Sequence, residues 1–416
     1  MNITVSPCEV RGTIEAPPSK SLMQRAIAAG LLAGGTTVIR NPSFCNDSMA
    51  AMRIAVELGA AVHRENDRIT VVSGQVPSGP LTLNCSESGL ALRMFAPVAA
   101  LLSGSVTLTG EGSLTRRPLT MISEALVQLG VHVETSGGLL PVKLEGRLRS
   151  GRAFIDGSAG SQLITGLLMA LPLTEGESRL DMANLTSKPY IGLTLGLLSD
   201  FGIRVENESY KSFIIPGNQS YMAHEYSVES DWSAAAFLLV AGATGGRVTV
   251  SNLNPDSIQA DRAILQALND AEAALEVELG SITAQVSGLN AFTFDATDAP
   301  DLFPPLAALA ASSEGVSRIR GVGRLRHKES DRAEAIAEVL GALKIDVRFS
   351  GDEMIITGGQ AQGAVVSSHN DHRIAMMAAV MATGATGAVT ITGAESVAKS
   401  YPRFFDDLAS LGAVIA

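Results

Sequence analysis

Several short runs place lysine or arginine beside serine, glycine or proline. Lys20 lies between two serines and is followed by Arg25, Arg117 directly precedes a proline, and Lys328 opens the run Lys-Glu-Ser-Asp-Arg. Such side chains bind phosphate and carboxylate groups, above all beside the free N–H groups of a helix N-terminus. These runs therefore predict the binding of a small anion, with nearby carboxylates available to move protons.

Each run, taken alone, also has an ordinary structural interpretation. Ser19 can cap a helix while Lys20 lies in solvent. Residues 156–162, Asp-Gly-Ser-Ala-Gly-Ser-Gln, resemble a phosphate-binding nest but also fit a plain turn. The run from Lys328 to Arg332 is typical of an exposed helix with salt bridges, in which its two ends share one face.

Two further runs are expected at helix starts. Asp301, in Ala-Pro-Asp-Leu-Phe-Pro, looks like a helix N-cap, and its functional interpretation is a general base. Arg373 follows His372 at the start of another predicted helix. We interpret this histidine as structural.

These runs occupy equivalent positions in a repeat of the sequence. Six glycines, 69–72 residues apart, each open a β-like run: Gly35, Gly104, Gly176, Gly246, Gly315 and Gly387. A polar residue or glycine stands 14 or 15 residues before each of them: Lys20, Gly89, Ser161, Asp231, Asp301 and His372. A second polar position follows 12 or 13 residues after five of them: Asp47, Arg117, Lys188, Lys328 and Lys399. The fourth repeat has no such second residue, and we expect Asp231 to cap its helix.

The elements of each repeat must bring these positions together. Every repeat reads as a helix, a strand with period-two alternation, a second helix and a pair of strands. A glycine after leucine or phenylalanine suits the end of the second helix, as at Gly59, Gly130, Gly202 and Gly412. Six copies of one unit favour two globular domains of three. Several converging helix N-termini would attract anions.

The domain crossings are predicted where proline and glycine break the pattern, near residues 11–18 and 223–229. An N-terminal domain would then span residues 15–228. Residues 1–14 and 229–416 would form a discontinuous C-terminal domain.

Composition limits the class of partner. The 416 residues carry a net charge of −11, which disfavours a nucleic acid as the partner. The three cysteines have neither CxxC spacing nor histidine neighbours at metal-site spacing, which favours a reducing, cytoplasmic setting. We expect no leader peptide, because the sequence begins as a strand. The apolar stretches are interrupted before membrane-spanning length, so no membrane partner is expected.

Taken in their order along the chain, the runs named in the next sentence resemble those of the 5-enolpyruvylshikimate-3-phosphate synthase family, and the resemblance covers the full length of the chain. They are Pro-Ser-Lys-Ser with Arg25, Gly-x-Ala-x-Arg at 89–93, Arg117-Pro118, Ser161-Gln162, Ser187-Lys188-Pro189-Tyr190, 328–332, Asn-Asp-His-Arg at 370–373, and Ala398-Lys399. Each run is weak alone, but the ordered set is very specific. The resemblance implies an α/β fold with two domains, each of three βαβαββ units, an inside-out α/β barrel. It also implies an active site in a cleft that closes on substrate.

The resemblance further implies transfer of the enolpyruvyl group of phosphoenolpyruvate to the 5-hydroxyl of shikimate 3-phosphate, with release of phosphate. This step belongs to the shikimate pathway. It needs no metal or organic cofactor. A monomer is the family expectation, and glyphosate is expected to compete with phosphoenolpyruvate.

Site residues carry over by matching motif. Shikimate 3-phosphate would be bound by Lys20, Ser21, Arg25, Ser161, Gln162, Ser187, Tyr190, Asp301 and Lys328. Phosphoenolpyruvate would be bound by Lys20, Gly89, Arg117, Gln162, Arg332, Arg373 and Lys399. The proton-transfer group would comprise Asp301 and Glu329, helped by Lys20 or Lys399.

The sequence departs from the family pattern at a few of these positions. Gly160 replaces a second serine, Glu87 an asparagine and Arg324 an asparagine. Leu90 and Met94 replace the usual threonine and proline. A carboxylate at position 87 would repel phosphoenolpyruvate unless it turned away. These departures concern inhibitor response and fine geometry.

Two other functions fit part of this pattern. The sister transferase that acts on UDP-N-acetylglucosamine uses a cysteine before its Arg-Pro pair, but residues 111–116 here contain none. A non-catalytic scaffold or phosphometabolite-binding protein would not need two carboxylates and five cations at matching repeat positions.

Overall fold

The computed structural model describes residues 1–326 and 328–416. The chain divides into two compact units. Pro18–Glu229 forms one, here called the N-unit, and Met1–Pro17 with Ser230–Ala416 forms the other, the C-unit. None of the helices in these described ranges combines the length and apolar character needed to cross a membrane.

The helices alternate between core and periphery along the chain. They are α1 Lys20–Leu32, α2 Asn46–Glu57, α3 Gly89–Leu102, α4 Thr120–Gln128, α5 Gln162–Ala170, α6 Lys188–Asp200, α7 Trp232–Gly245, α8 Ile264–Asp270, α9 Phe303–Ala311, α10 Arg332–Ala342, α11 His372–Thr383 and α12 Phe404–Ser410. Short 3₁₀ helices include Gly112–Arg116, Gly157–Ala159, Leu171–Leu173, Ala260–Ala263, Pro300–Leu302, Val322–Arg324 and Ala394–Lys399.

The strands are short. They are β1 Asn2–Ser6, β2 Val10–Glu15, β3 Ala33–Gly34, β4 Thr36–Arg40, β5 Ala61–Arg64, β6 Arg68–Val72, β7 Leu81–Asn84, β8 Ser105–Thr109, β9 His132–Ser136, β10 Leu139–Glu145, β11 Arg152–Asp156, β12 Ser178–Ala183, β13 Glu206–Glu208, β14 Ser212–Ile215, β15 Tyr221–Met222, β16 Glu225–Ser227, β17 Gly246–Leu253, β18 Ala274–Glu278, β19 Gly280–Gln285, β20 Thr293–Asp295, β21 Val316–Arg320, β22 Asp346–Ser350, β23 Glu353–Thr357, β24 Ala364–Ser367, β25 Val389–Thr392 and β26 Val414–Ile415.

Within the described residues, six four-stranded sheets follow one plan. A parallel pair is followed by two antiparallel neighbours, as in β7-β8-β10-β9. The other N-unit sheets are β16-β4-β6-β5 and β11-β12-β14-β13, and the C-unit sheets are β2-β17-β19-β18, β20-β21-β23-β22 and β24-β25-β1-β26. β1 and β2 thus complete two C-unit sheets, with Asn2 opposite Thr392 and Val10 opposite Gly246. This confirms the predicted α/β fold built from six copies of one unit.

Helices form the core and the sheets surround them. All twelve residues of α11 and twelve residues of α7 are buried. A helix that is apolar on every side belongs inside a domain. In the C-unit α7, α9 and α11 pack against one another, and in the N-unit α3 packs against α1 and α5. Sheet strands instead alternate buried and partly exposed residues, as β8 does.

The special residues of the repeat lie at the starts of these core helices. Lys20, Gly89 and His372 are the first residues of α1, α3 and α11, and Asp231 caps α7 by accepting from the N–H groups of Ser233 and Ala234. The expected cap is therefore confirmed. The predicted glycines also end the second helices, because Gly59, Gly130, Gly202 and Gly412 all have positive φ.

Two local predictions were wrong. Helix α10 begins at Arg332 and is capped by Asp331, so Lys328 precedes the helix and does not share a helical face with Arg332. Asp301 does not cap α9 but lies in a 3₁₀ turn. Its carboxylate contacts arginine side chains instead, and these ion pairs replace the backbone N–H groups that a cap would bind.

Candidate active site

In the N-unit, Lys20 is fixed at the start of α1. Ser19 caps the helix by accepting from the N–H of Leu22, and Lys20 Nζ lies 3.1 Å from Asp47 Oδ2. Both side chains are mostly buried, with 15% and 12% exposed. The two polar positions of the first repeat are therefore paired with each other. An ammonium in this place also has the N-terminal dipole of α1 beside it, which favours an anion.

Arg25 is 1% exposed and lies one turn further along α1. Its guanidinium donates to the backbone oxygen of Ser21 at 2.8 Å and to Thr194 Oγ1 at 3.0 Å, with longer contacts to Thr165 and Tyr190. Burial lowers its pKa to about 10. In the described residues, its polar contacts are with uncharged oxygens. A buried cation of this kind is stabilised by an anionic ligand.

Arg93 and Gln162 join two further core helices. Arg93 Nη1 donates to Gln162 Oε1 at 3.0 Å and to the backbone oxygen of Gly89 at 3.3 Å. Arg117 lies close by, since a Cβ built on Gly89 would stand 2.8 Å from Arg117 Nη1 and 2.9 Å from Arg93 Nη1. The starts of α3 and α5 and the Arg117 side chain therefore meet in one place.

Ser161 and Ser187 are both buried at helix starts. Ser161 occupies the N-cap position of α5 without a capping hydrogen bond from its side chain. Ser187 precedes α6 with φ of 58°, a left-handed conformation that non-glycine residues seldom adopt. Such strained residues cluster at functional sites. Tyr190 follows one turn later, half-buried, and Ser21 is half-buried on α1.

Glu87, one of the departures from the family pattern, is turned toward the backbone. Its Oε2 accepts from the N–H of Ser113 at 3.1 Å. This bond orients the carboxylate toward the 3₁₀ helix Gly112–Arg116, where Ser113 Oγ also accepts from Arg117 Nη2 at 3.0 Å.

In the C-unit, one carboxylate lies among three cations. Asp301 Oδ1 is 2.8 Å from Arg332 Nη1 and 3.6 Å from Lys328 Nζ, and Asp301 Oδ2 is 3.0 Å from Arg373 Nη2. Burial opposes the charge of Asp301, but Arg373, Lys328 and Arg332 outweigh it and hold its pKa well below the usual value. The carboxylate is therefore ionised at neutral pH.

Arg332 is buried completely and is surrounded by carboxylates. Besides Asp301, its Nε lies 2.9 Å from Asp371 Oδ2 and its Nη2 lies 2.5 Å from Glu329 Oε2. Burial acts against the guanidinium charge, but these carboxylates raise the pKa of Arg332. Burial lowers the pKa of Lys328, although the charge of Asp301 opposes that effect.

Two more predicted cations lie in the same unit. Arg373 follows the first residue of α11 and donates through Nη2 to Ser233 Oγ at 3.0 Å as well as to Asp301. Lys399 is 6% exposed, and its Nζ donates to the backbone oxygen of Asn370 at 2.6 Å. Lys399 therefore lies beside the turn that leads into α11.

Sequence reasoning gave no role to several residues of these clusters. Asp47 and Asp371 hold Lys20 and Arg332, Arg93 holds Gln162, and Ser233 contacts Arg373. Arg93 and Asp371 stood inside quoted runs, so position in a run was a usable signal. Ser233 had no such signal.

Buried arginines lie at or beside several of these helix starts, and in the C-unit the carboxylate of Asp301 lies among three cations, an arrangement typical of enzymes that act on small anionic substrates. The sequence matches the family model described as EPSP synthase (3-phosphoshikimate 1-carboxyvinyltransferase) over residues 5–408. The chain belongs to the EPSP synthase family and is a carboxyvinyl transferase of the shikimate pathway.

Individual relatives agree with this assignment. The chain is 37% identical to the 3-phosphoshikimate 1-carboxyvinyltransferase of Clostridium kluyveri, covering 99% of this chain and 98% of that protein. It is 40% identical to the enzyme of that name from Aeropyrum pernix, covering 99% and 96%. The structure of EPSP synthase from Acinetobacter baumannii matches with a TM-score of 0.85 at 26% identity, covering 100% of this chain and 99% of that one.

Proposed function

We propose that this chain transfers the enolpyruvyl group of phosphoenolpyruvate to the 5-hydroxyl of shikimate 3-phosphate, with the residue roles given below. The observation that supports these roles most is the position of the Asp301 carboxylate, which lies within 3.6 Å of three cationic side chains. Such a cluster can bind a strongly anionic substrate and hold a base beside it.

Shikimate 3-phosphate is assigned mainly to the N-unit. The proposed ligands are Lys20, Ser21, Arg25, Ser161, Gln162, Ser187 and Tyr190, with Lys328 and Asp301. Arg25 supports the assignment best, because its guanidinium is buried among uncharged oxygens. The phosphate would supply the charge that these contacts lack.

Phosphoenolpyruvate is assigned to five cations, together with Gly89 and Gln162. The cations are Lys20, Arg117, Arg332, Arg373 and Lys399. Arginine binds carboxylate and phosphate through paired N–H groups, which fixes the orientation of the anion. The same cations would stabilise the phosphate as it leaves.

The chemistry requires three proton transfers. The 5-hydroxyl of shikimate 3-phosphate attacks C2 of phosphoenolpyruvate and loses its proton, and C3 gains a proton. The tetrahedral intermediate then loses a proton from C3 and the phosphate group, which restores the double bond. We assign the hydroxyl proton to Asp301, and the C3 proton to Glu329 with Lys20 or Lys399.

Gly89→Ala tests the phosphoenolpyruvate assignment. A Cβ would stand 2.8 Å from Arg117 Nη1 and 2.9 Å from Arg93 Nη1, so both guanidinium groups must move. Displaced binding groups lower the rate steeply, so we expect the KM for phosphoenolpyruvate to rise about 10-fold or more. The melting temperature should stay near wild type, since the crowded atoms are the ends of flexible side chains. The KM for shikimate 3-phosphate should rise less than that for phosphoenolpyruvate, because among the proposed ligands of shikimate 3-phosphate only Gln162 contacts a displaced guanidinium.

The matched control is Gly104→Ala in the same unit, where an added Cβ would meet no atom within 4 Å. Its two KM values should equal those of the wild type. An unchanged KM for phosphoenolpyruvate in Gly89→Ala would remove Gly89 from the proposed ligands.

The activity itself is tested by phosphate release from phosphoenolpyruvate. We expect release only when shikimate 3-phosphate is present, with one phosphate per enolpyruvyl ether formed. Release with UDP-N-acetylglucosamine instead would support the sister transferase. Binding of either substrate without turnover in the presence of both would indicate a non-catalytic protein.

We also propose that the enzyme works as a monomer in the cytoplasm. The free cysteines support a reducing compartment, since Cys45 and Cys85 are buried and unbonded to each other. Sedimentation at micromolar concentration tests the monomer, and a mass of two chains would contradict it.

A further inference from the structure

The fourth repeat supplies a buried pair, Asp231 and Ser233, that contacts one of the proposed phosphoenolpyruvate ligands. Ser233 is the second residue of α7, and Arg373 is the second residue of α11. They are 140 positions apart in the sequence, and Arg373 Nη2 lies 3.0 Å from Ser233 Oγ. We propose that Ser233, oriented by Asp231, is a positioning residue that sets the guanidinium of Arg373 for phosphoenolpyruvate. The inference rests on the proposed role of Arg373.

The direction of the hydrogen bonds follows from the donors available. Asp231 Oδ1 accepts from the Ser233 N–H at 2.9 Å and from Ser233 Oγ at 2.6 Å. The serine hydroxyl has one hydrogen, and this hydrogen points to Asp231 Oδ1, because the guanidinium of Arg373 can only donate. Ser233 Oγ therefore faces Arg373 as an acceptor only. A hydroxyl that donates to a carboxylate is also a stronger acceptor, because hydrogen bonds in a chain polarise one another.

This acceptor helps to fix the plane of the guanidinium. Arg373 Nη2 donates both to Ser233 Oγ and to Asp301 Oδ2, each at 3.0 Å, and Nη1 makes a long 3.5 Å contact with the Asp301 backbone oxygen. In the described chain these contacts engage three of the five N–H groups that an arginine carries. The others remain for an anion.

The hydrogen-bonded chain from Asp231 to Arg373 is buried and lies near further carboxylates. Asp231, Ser233 and Arg373 are 7%, 8% and 3% exposed, so the chain of hydrogen bonds is shielded from water. Burial opposes the charge of Arg373, but Asp301 raises its pKa, and Asp261 and Asp231 contribute in the same direction. Asp261 also belongs to the fourth repeat. The fourth repeat, which carries no proposed ligand, thus supplies contacts and negative charge to Arg373 of the sixth repeat.

Ser233→Ala is the direct test. The Asp231 cap of α7 remains, because Asp231 still accepts from the backbone N–H groups of residues 233 and 234. Loss of one hydrogen bond to a charged group should raise the KM for phosphoenolpyruvate about 10-fold. The KM for shikimate 3-phosphate should not change, and kcat should change by less than about 3-fold.

Ser313→Ala serves as the matched control, since Ser313 is 2% exposed in the same unit and donates to the Leu309 backbone oxygen at 2.8 Å. It should leave both KM values unchanged. If Ser233→Ala raised both KM values together, or neither, the positioning role would be overturned.

A double-mutant cycle separates this inference from the proposed function. Arg373→Met alone should lower kcat/KM for phosphoenolpyruvate, and adding Ser233→Ala should cause no further loss. An equal loss in both backgrounds would show that Ser233 does not act through Arg373, while the role of Arg373 would stand. An unchanged kcat/KM in Arg373→Met would overturn both.

Discussion

Replacing Asp301 by asparagine is expected to lower kcat about 1,000-fold, the middle of the range for loss of a positioned general base. The asparagine keeps the size of the side chain but cannot accept the proton of the 5-hydroxyl. Phosphate release with saturating concentrations of both substrates measures the loss. The low pKa of Asp301 means that the carboxylate remains ionised, and able to act, throughout the neutral range.

The control for this variant is Asp295→Asn in the same unit. Asp295 is mostly exposed, and its Oδ1 accepts from the Thr297 N–H at 2.9 Å, a contact that asparagine can keep. Its kcat should remain within about 2-fold of wild type, as for surface changes away from a site. If Asp301→Asn and Glu329→Gln both kept near-normal turnover, the assignment of the two carboxylates would be wrong.

Arg332→Gln is expected to destabilise the C-unit by about 3–5 kcal/mol. The arginine is completely buried and contacts Asp301, Glu329 and Asp371. Without it these carboxylates face one another with too little positive charge. Urea unfolding followed by fluorescence measures the change, because the single tryptophan, Trp232, is buried in the same unit.

Arg318→Gln is the matched control, since its 3.1 Å ion pair with Glu353 is exposed at 48% and 36%. Arg318→Gln should lower the free energy of unfolding by less than about 1 kcal/mol. A loss equally small in Arg332→Gln would contradict the importance of the buried cluster.

At acid pH, the free energies of unfolding of the wild type and Arg332→Gln should differ less than at neutral pH. Asp301 has a lowered pKa in the folded protein, so its ion pairs stabilise the wild type above the unfolded pKa, about 3.9. That contribution is lost as the pH falls through the folded pKa. In the variant the carboxylates have lost a cation, so protonation relieves their repulsion and reduces the deficit.

Local rules were sufficient for the repeat and its helix boundaries. A glycine after a leucine or phenylalanine ends a helix because it adopts positive φ without strain, and Gly59, Gly130, Gly202 and Gly412 do so. Asp231 caps α7 for an equally local reason, since its carboxylate reaches N–H groups two and three residues ahead. Such features depend on neighbours in the sequence.

The same rules failed where distant partners compete. The sequence around Asp301 resembles an N-cap, but its carboxylate oxygens accept hydrogen bonds from Arg332 and Arg373 instead. These arginines are 31 and 72 residues away in the sequence. The run 328–332 resembles a charged helix, but the helix begins only after its cap, Asp331. Lys328 therefore lies outside the helix and contacts Asp301. A charged contact in a buried place is stronger than a local cap, and the sequence pattern does not contain it.

The sequence by itself determined the six-fold repeat, the class of fold, and the ordered motifs that mark the family. Only the tertiary structure decided which charges are paired: Lys20 with Asp47, Arg332 with three carboxylates, and Arg373 with Asp301. The reason is physical. Helix and turn preferences act over a few residues, whereas these pairs form because core packing brings the starts of separate helices together and excludes water from them.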